Sequence, residues 1–264
     1  MNILERIVEV KRKEVELAKS LQPAKVLEGS IHFSSPSISV VRRLQDDTLT
    51  GIIAEFKRAS PSKGIINDHV TVEEVVKGYA DNGAVAISVL TDEQFFKGSL
   101  ADLQAARAAV PDVPLLRKDF VIDEYQLVQA KSSGADLILL IAACLTPSEV
   151  RSLASFAKSL QLEVLLEIHA EEELEHICDE VDIVGVNNRD LKTFKVDIEQ
   201  SIRLASMMPA DKIKISESGI YSMDTINTLR NGGFEGFLIG EHFMREKDPV
   251  AAFKNFIKPG SYES

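Results

Sequence analysis

The feature that most constrains this chain is a regular alternation, starting near residue 52, of short apolar runs and amphipathic stretches. The apolar runs are Ile52–Phe56, Ala84–Leu90, Pro114–Phe120, Asp136–Ala142, Val164–Ile168, Ile183–Val186, Lys212–Ser216 and Phe237–Ile239. Several are nearly continuous Val, Ile and Leu rather than alternating, the mark of a parallel strand buried on both faces. Between and after them, Thr71–Asn82, Leu100–Val110, Glu124–Ser133, Thr146–Ser159, Ala170–Cys178, Ile198–Met208, Ser222–Asn231 and Pro249–Ile257 read as helices. Thr146-Pro147-Ser148-Glu149 supplies an N-cap, a proline at the first helical position and a capping acid. Asn82-Gly83, Ser133-Gly134 and Asn231-Gly232-Gly233 each close a helix with glycine before the next strand. Such βα units without a large insertion favour a closed (β/α)8 TIM barrel over an open doubly wound sheet. No G-x-G-x-x-G follows the first strand, which weakens a dinucleotide-binding alternative.

Ahead of this rhythm lies an amphipathic helix, Ile3–Leu21, then a Ser-rich loop, Ser34–Ser39, and a short helix, Val40–Leu44. The expectation is one α/β domain over residues 1–264, with 1–48 an N-terminal helical extension and 49–264 the barrel. A length of 264 residues is usual for one such barrel. The net charge of −11 disfavours sequence-blind nucleic-acid binding, so an anionic small ligand would need local positive potential. Cys144 and Cys178 show no C-x-x-C spacing and read as free thiols. The five histidines form no H-x-H or H-E-x-x-H pair, so no metal site is expected. Met1–Ser20 is charged and lacks the apolar core of a signal peptide. The run around Leu137–Leu145 is too short to span a bilayer, leaving cytoplasm as the expected compartment and no membrane partner.

Chemistry in this fold sits where the strands end and in the loops that follow. The first run ends Glu55-Phe56-Lys57, with Ser60-Pro61-Ser62-Lys63-Gly64 behind it, and the third ends Arg117-Lys118-Asp119-Phe120. The fifth ends Glu167-Ile168, the sixth Asn187-Asn188-Arg189-Asp190, the seventh Glu217-Ser218-Gly219 and the eighth Gly240-Glu241. Strand alternation puts Glu55 and Lys57 on one face. If both point inward they join Lys118, Glu167 and Glu217 in one ring, which must form a network because an unpaired buried charge is costly. A lysine beside a desolvated wall is expected to become a proton donor usable near neutral pH. Ser218-Gly219 and Gly240-Glu241 fall where barrels often bind phosphate with backbone N–H groups, and Ser60 could add a hydroxyl. The Glu241 carboxylate has the wrong charge for that task, so only its N–H could serve, with the side chain turned away. The long polar loop Ser60–His69 is suited to close over a ligand.

These strand ends resemble the indole-3-glycerol-phosphate synthase family of tryptophan biosynthesis. The specific pieces run from Ile53 to Gly64, from Leu116 to Phe120 and from Gly185 to Leu191. Leu166-Glu167-Ile168, Ser216-Glu217-Ser218-Gly219-Ile220 and Leu238-Ile239-Gly240-Glu241 complete them in the expected order. The resemblance implies conversion of 1-(2-carboxyphenylamino)-1-deoxyribulose 5-phosphate to indole-3-glycerol phosphate, with loss of carbon dioxide and water, and no cofactor. It assigns Lys118 as a general acid, Glu167 as a base, Lys57 paired with Glu55 as a second acid or electrostatic aid, and Asn187 and Glu217 as catalytic partners. It leaves open which lysine serves which step. Arg189 is implied to hold the anthranilate carboxylate and Phe96 and Phe120 to wall its ring. Ser60, Ser218, Gly219, Leu238, Gly240 and Glu241 are implied to contact substrate, most of them at its phosphate. A monomer is implied, with an extra helix over the barrel mouth. Two rivals remain at the level of sequence: a phosphosugar aldolase using Lys118 as a Schiff base, and an inactive barrel that senses a phosphorylated metabolite.

Overall fold

The structure, a computed structural model, describes residues 2–46, 48–189 and 195–258. Asp190 and Leu191, which belong to the sixth strand-end motif, lie outside the described residues. The apolar runs become β1 (Ile52–Phe56), β2 (Ala86–Leu90), β3 (Leu115–Lys118), β4 (Leu137–Ile141), β5 (Glu163–Ile168), β6 (Ile183–Asn187), β7 (Ile213–Glu217) and β8 (Gly236–Ile239). They close into a barrel in the order β1-β8-β7-β6-β5-β4-β3-β2, and every neighbouring pair is parallel. Every residue of β1, β2 and β4 is buried, as their largely apolar composition favours, and the burial extends to Glu55 and Ser88.

Alternation along each strand splits the core into two shells. Ile53, Leu116, Leu137, Leu139, Leu165, Ile183, Ile215 and Leu238 fill the barrel interior. Ile52, Ala54, Ile87, Leu115, Ile138, Leu166 and Phe237 face outward. There they join residues such as Val76, Leu103, Leu127, Ala154 and Leu229 from the surrounding helices. Those helices include α4 (Val72–Asp81), α6 (Leu100–Ala109), α7 (Glu124–Ser132), α8 (Pro147–Ser159), α9 (Ile198–Met207), α10 (Met223–Asn231) and α12 (Pro249–Phe256). The Thr146 capping box forms as its sequence predicts, with the Thr146 side chain and Glu149 satisfying each other's backbone N–H.

The segment before β1 runs the height of the barrel. Helix α1 (Ile3–Leu21) lies at the strands' C-terminal end and buries the stripe Ile7, Lys11 and Val15. The chain then descends past α2 (Ala24–Leu27) along α7. Tyr125 Oη donates to the carbonyls of Ala18 (3.1 Å) and Gln22 (2.7 Å), and Lys131 Nζ to Ser35 O (2.8 Å) and Ser37 Oγ (3.0 Å). Helix α3 (Val40–Leu44) plugs the opposite end, with Val40 and Leu44 packed into the interior shell. The Glu163 carboxylate, at the start of β5, accepts from Ser39 Oγ (2.5 Å) and the N–H groups of Val40 (2.7 Å) and Val41 (3.2 Å). Arg43 Nε donates to Val85 O at 2.6 Å.

Two expectations need correcting. Ala170–Cys178 is not a full helix; only a 3-10 stretch, Glu171–His176, forms. Glu173 folds back to accept the His169 N–H (2.6 Å), and a His176 ring nitrogen bonds the Leu145 carbonyl (2.9 Å). These tertiary bonds favour the tighter turn, and in a longer helix Glu175 would stand against Glu171 and Glu172, four and three residues before it, adding like-charge repulsion. The loop after β1 is also more regular than its sequence suggests. Ala59–Ser60 pairs antiparallel with Gly64–Ile65 as a small ribbon. Arg58 fixes its base through a bidentate pair with Asp102 (2.6 and 2.8 Å). Asn67 Nδ2 anchors its end on the carbonyls of Met244 and Glu246, each at 3.1 Å.

Candidate active site

The alternation that sends Ile53 into the barrel sends Glu55, and beyond the strand Lys57, to the same face. The same step of two carries Leu116 to Lys118, Leu165 to Glu167, Gly185 to Asn187, Ile215 to Glu217 and Leu238 to Gly240. The charges therefore sit as a layer on top of the apolar interior. Lys118 Nζ lies 2.5 Å from Glu217 Oε2 and 3.4 Å from Glu167 Oε2. Lys57 Nζ lies 2.7 Å from Glu55 Oε1, and Ser88 Oγ donates to Glu55 Oε2 at 3.3 Å. Asn187 Nδ2 donates to Glu167 Oε1 at 3.2 Å. Two glycines make room for this layer. A Cβ on Gly185 would stand 2.4 Å from Glu217 Oε1, and one on Gly240 would stand 2.4 Å from Glu55 Oε1.

Burial and pairing set the protonation states. Burial pulls the Lys118 ammonium down, but the carboxylates of Glu217, Glu167 and Glu55 outweigh it and hold its pKa above the ordinary lysine value. Three carboxylates face this lysine, not an apolar wall alone, and they lift its pKa instead of bringing it toward neutrality. Burial raises Glu167 too, yet Lys118, His169 and Asn187 reverse this and keep it ionised. Glu55 is likewise held below its usual value by Lys57 and Lys118 despite complete burial. Glu217 goes the other way, pushed up to about 7 by burial and by its neighbours Glu167 and Glu55, which Lys118 only partly offsets. The site holds a charged lysine, two firm carboxylates and one carboxyl that shares its proton near neutrality.

All the residues singled out from sequence line one cavity at the strands' C-terminal end, including Phe96, Phe120, Ser60, Ser218, Gly219, Leu238, Gly240 and Glu241. The Phe96 and Phe120 rings pack with centroids 6.0 Å apart. Phe96 ends α5 (Glu93–Phe96), whose N-cap Asp92 accepts the N–H groups of Phe95 (2.7 Å) and Phe96 (3.3 Å). Ser218 and Gly219 both have φ of +68°, a conformation that a serine adopts only at a cost. Asn188 holds the turn: its Nδ2 donates to Ser218 O (2.7 Å) and Ser216 Oγ (3.0 Å). Glu241 opens α11 (Glu241–Met244), and its carboxylate is not turned away as expected. It lies 3.3 Å from Arg189 Nη2 and 3.8 Å from Lys63 Nζ, held by two cations at the edge of the cavity.

Several lining residues escaped the sequence. Ile3, Leu4 and Ile7 of α1 and Leu139 and Ile141 of β4 give the cavity apolar surfaces, while Tyr221 and His242 stand beside Gly219 and Gly240. Lys11 is buried in α1 with its ammonium 2.9 Å from Asp92 and 2.9 Å from Asp119. A lysine four residues from Ile7 and four from Val15 on an apolar stripe was the available signal. His169 lies 3.1 Å from Glu167 Oε1, and its place two residues beyond Glu167 on the inward face was the clue. Among the described residues no cluster of His, Cys, Asp and Glu could hold a metal ion. Cys144 and Cys178 are free thiols.

Comparison with known proteins gives one answer along the chain. The family model described as indole-3-glycerol phosphate synthase matches residues 4–256. An indole-3-glycerol phosphate synthase of Bacteroides thetaiotaomicron is 50% identical over 257 residues, covering 97% of this chain and 98% of that one. One from Burkholderia vietnamiensis is 42% identical over 254 residues, covering 95% and 97%. Among solved structures, 3-hexulose-6-phosphate synthase from Salmonella typhimurium aligns with a TM-score of 0.61 at 13% identity, over 77% of this chain and 94% of that one. Tryptophan synthase subunit alpha from Legionella pneumophila aligns with the same score and identity over 82% and 93%. These two likenesses speak to the barrel fold alone.

Proposed function

This chain belongs to the indole-3-glycerol phosphate synthase family, and from that premise we propose how its own residues carry the family's reaction. It is a decarboxylating carbon–carbon lyase of tryptophan biosynthesis. It closes the indole ring of 1-(2-carboxyphenylamino)-1-deoxyribulose 5-phosphate with loss of carbon dioxide and water.

The ring carbon bearing the carboxylate attacks the ketone, whose oxygen gains charge. The Lys118 ammonium meets that oxygen and gives it a proton. Its pairing with Glu217 and Glu167 keeps it charged and fixed before substrate arrives, and such a preset donor is worth most in a dry site. Loss of carbon dioxide restores the aromatic ring. The new hydroxyl then leaves with a proton from a lysine, for which Lys57, held by Glu55, is placed. Glu167, ionised, takes the anilino proton. Each proton transfer contributes roughly 10²–10⁴-fold.

Arg189 faces the anthranilate carboxylate; its Nη2 lies on Glu241 while its Nε has no hydrogen-bond partner among the described residues and is open to the substrate. Phe96 and Phe120 wall the ring. The phosphate sits at the Ser218–Gly219 turn and the Gly240–Glu241 peptide, with Ser60 and Lys63 approaching from the β1 loop. The net charge of −11 speaks against a nucleic-acid partner. No described helix is long and apolar enough to cross a membrane, and the cytoplasm is the compartment we assign.

The observation that carries this reading is the placement of Lys118 between two carboxylates and opposite the Lys57–Glu55 pair in one cavity. The test is Lys118→Met, assayed by fluorescence of the indole product without added metal or cofactor. Turnover should fall by roughly 10³-fold or more while substrate still binds. Near-normal turnover would remove Lys118 as the acid.

A further inference from the structure

Glu167 does not stand alone at the end of β5. His169, two residues on, shares its inward face, and its side chain is almost entirely covered. Its Nε2 lies 3.1 Å from Glu167 Oε1 and its Nδ1 lies 3.5 Å from Glu173 Oε2. The Glu173 carboxylate is itself fixed, because it accepts the His169 backbone N–H at 2.6 Å. Gln200 of α9 donates to the His169 carbonyl at 3.3 Å and pins the backbone there. A neutral imidazole has one donor nitrogen and one acceptor. Neither nitrogen has hydrogen-bond geometry to its carboxylate, so the pairing is one of charge, and two flanking carboxylates favour the imidazolium.

Among the described residues, the charged and titratable groups around this pair are few. Lys118 of β3 faces Glu167 from its other oxygen at 3.4 Å. The Cys144 thiol, influenced by burial and by Glu167 and Glu173, is pushed up to about 12 and stays neutral. Burial disfavours the imidazolium, yet Glu167 and Glu173 lift it to about 10. Cation, carboxylate, cation and carboxylate thus follow one another from Lys118 through Glu167 and His169 to Glu173.

We propose that His169 is a positioning residue for the dehydration half of the reaction: an imidazolium, held by Glu173, that aims Glu167 Oε1 and sets the pH at which Glu167 can accept the anilino proton. The proposal rests on the reading of Glu167 as the base. Lys118 sits on the opposite oxygen and is committed to the ketone. His169 is therefore the cation that can keep Glu167 ionised after Lys118 has given up its proton.

The experiment compares His169→Asn, Glu173→Gln and Glu167→Gln in the full-length enzyme. It records kcat and KM against pH and follows the imidazole resonances by NMR, with the His169 signal assigned by its loss in His169→Asn. An opposite charge at this distance shifts a carboxyl by roughly 1–3 pH units. In His169→Asn the acidic limb of kcat should therefore move up by about one unit or more. Glu167 stays ionised at neutral pH, so turnover there should fall through the lost aim of its carboxylate, by roughly tenfold or more, with KM little changed. In Glu173→Gln the His169 resonance should titrate well below its wild-type midpoint, and the basic limb of kcat should move down with it. Glu173→Gln leaves His169 in place and alters a partly exposed side chain, so it tests the idea even if His169→Asn folds poorly. An unchanged kcat profile in a folded His169→Asn, or a wild-type His169 that titrates near 6.5, the ordinary value, overturns the proposal. The underlying reading fails separately: wild-type turnover in Glu167→Gln would remove Glu167 as the base. An inactive Glu167→Gln beside an unaltered His169→Asn would overturn the role of His169 alone.

Discussion

Replacing Lys11 by methionine should loosen the cover of the active site and destabilise the fold by a calculable amount. Methionine keeps most of the buried stem and deletes the charge. Lys11 Nζ stands 2.7 Å from Glu14, 2.9 Å from Asp92 and 2.9 Å from Asp119, with its side chain 5% exposed. The three carboxylates differ in what they lose. Glu14 is 36% exposed and can return to water. Asp119 keeps Arg117 (2.9 Å) and Thr91 (2.6 Å). Asp92 Oδ2 keeps no comparable partner, so most of the cost falls there. Stripping the partner from a buried charge costs roughly 3–5 kcal/mol, and the contacts that Asp119 retains argue for the lower end, about 3 kcal/mol. For a chain of this size each kcal/mol moves Tm by roughly 2–4 °C, so the expected drop is about 6–12 °C. Asp92→Asn in the same background removes the orphaned charge yet preserves the N-cap of α5. The double variant should recover much of the loss, with a coupling of roughly 1–3 kcal/mol. KM should rise more than kcat falls, because Ile3, Leu4 and Ile7 line the cavity from the helix that Lys11 ties down. Calorimetric Tm for the four-member cycle and steady-state kinetics read both effects. A Tm within a degree of wild type and strictly additive variants would refute the reasoning.

Other perturbations probe other parts of the mouth. Gly185→Ala puts a methyl 2.4 Å from Glu217 Oε1; the displaced carboxylate should lower kcat roughly 10²-fold, as misplacements near 1 Å do, and kcat within twofold of wild type would show that Glu217 has room to move. Arg189→Ala should raise KM roughly 10–100-fold by removing a charge-assisted contact; an unchanged affinity with slowed chemistry would reassign Arg189. For His169 the folded pKa, about 10, lies above its ordinary 6.5. Its stabilisation is therefore fully present below 6.5 and lost as pH rises toward about 10, so the Tm gap between wild type and His169→Asn should narrow over that window. For Asp119 the sign reverses: burial raises it, but Arg117 and Lys11 hold it below its ordinary 3.8. Wild type should lose stability more steeply than Asp119→Asn as pH falls below 3.8 in thermal melts.

Much of this architecture was legible because it rests on short-range rules. Unbroken apolar runs gave the strands, and Thr146-Pro147-Ser148-Glu149 gave a helix start that the structure reproduces. The period of two gave the inward layer: whatever follows an interior residue such as Leu116 or Leu165 by two positions stands over the core. What escaped depended on tertiary partners. The four-residue helices α5 and α11 are too short for a helical period to show. The segment Ala170–Cys178 looked helical, but its conformation is decided by Glu173 reaching back to His169 and His176 reaching to Leu145. The direction in which Lys118 is shifted was not legible, because sequence places the lysine and the carboxylates in one ring but not how closely they approach.

The segment that covers the mouth and plugs the base also bears on how the protein is made. Its anchors join residues far apart along the chain: Lys19 with Asp123 is a separation of 104 positions and Ser39 with Glu163 one of 124. On the ribosome this segment emerges before the barrel strands, and its lower end cannot seat until β5 has been synthesised. Contacts of such long sequence separation are slow to form. Closure of β1 on β8, which pairs Ile52 with Phe237, spans still more of the chain, so barrel closure and the seating of this segment both come late, and in refolding from denaturant catalytic activity should return in a later phase than the far-ultraviolet signal of the helices.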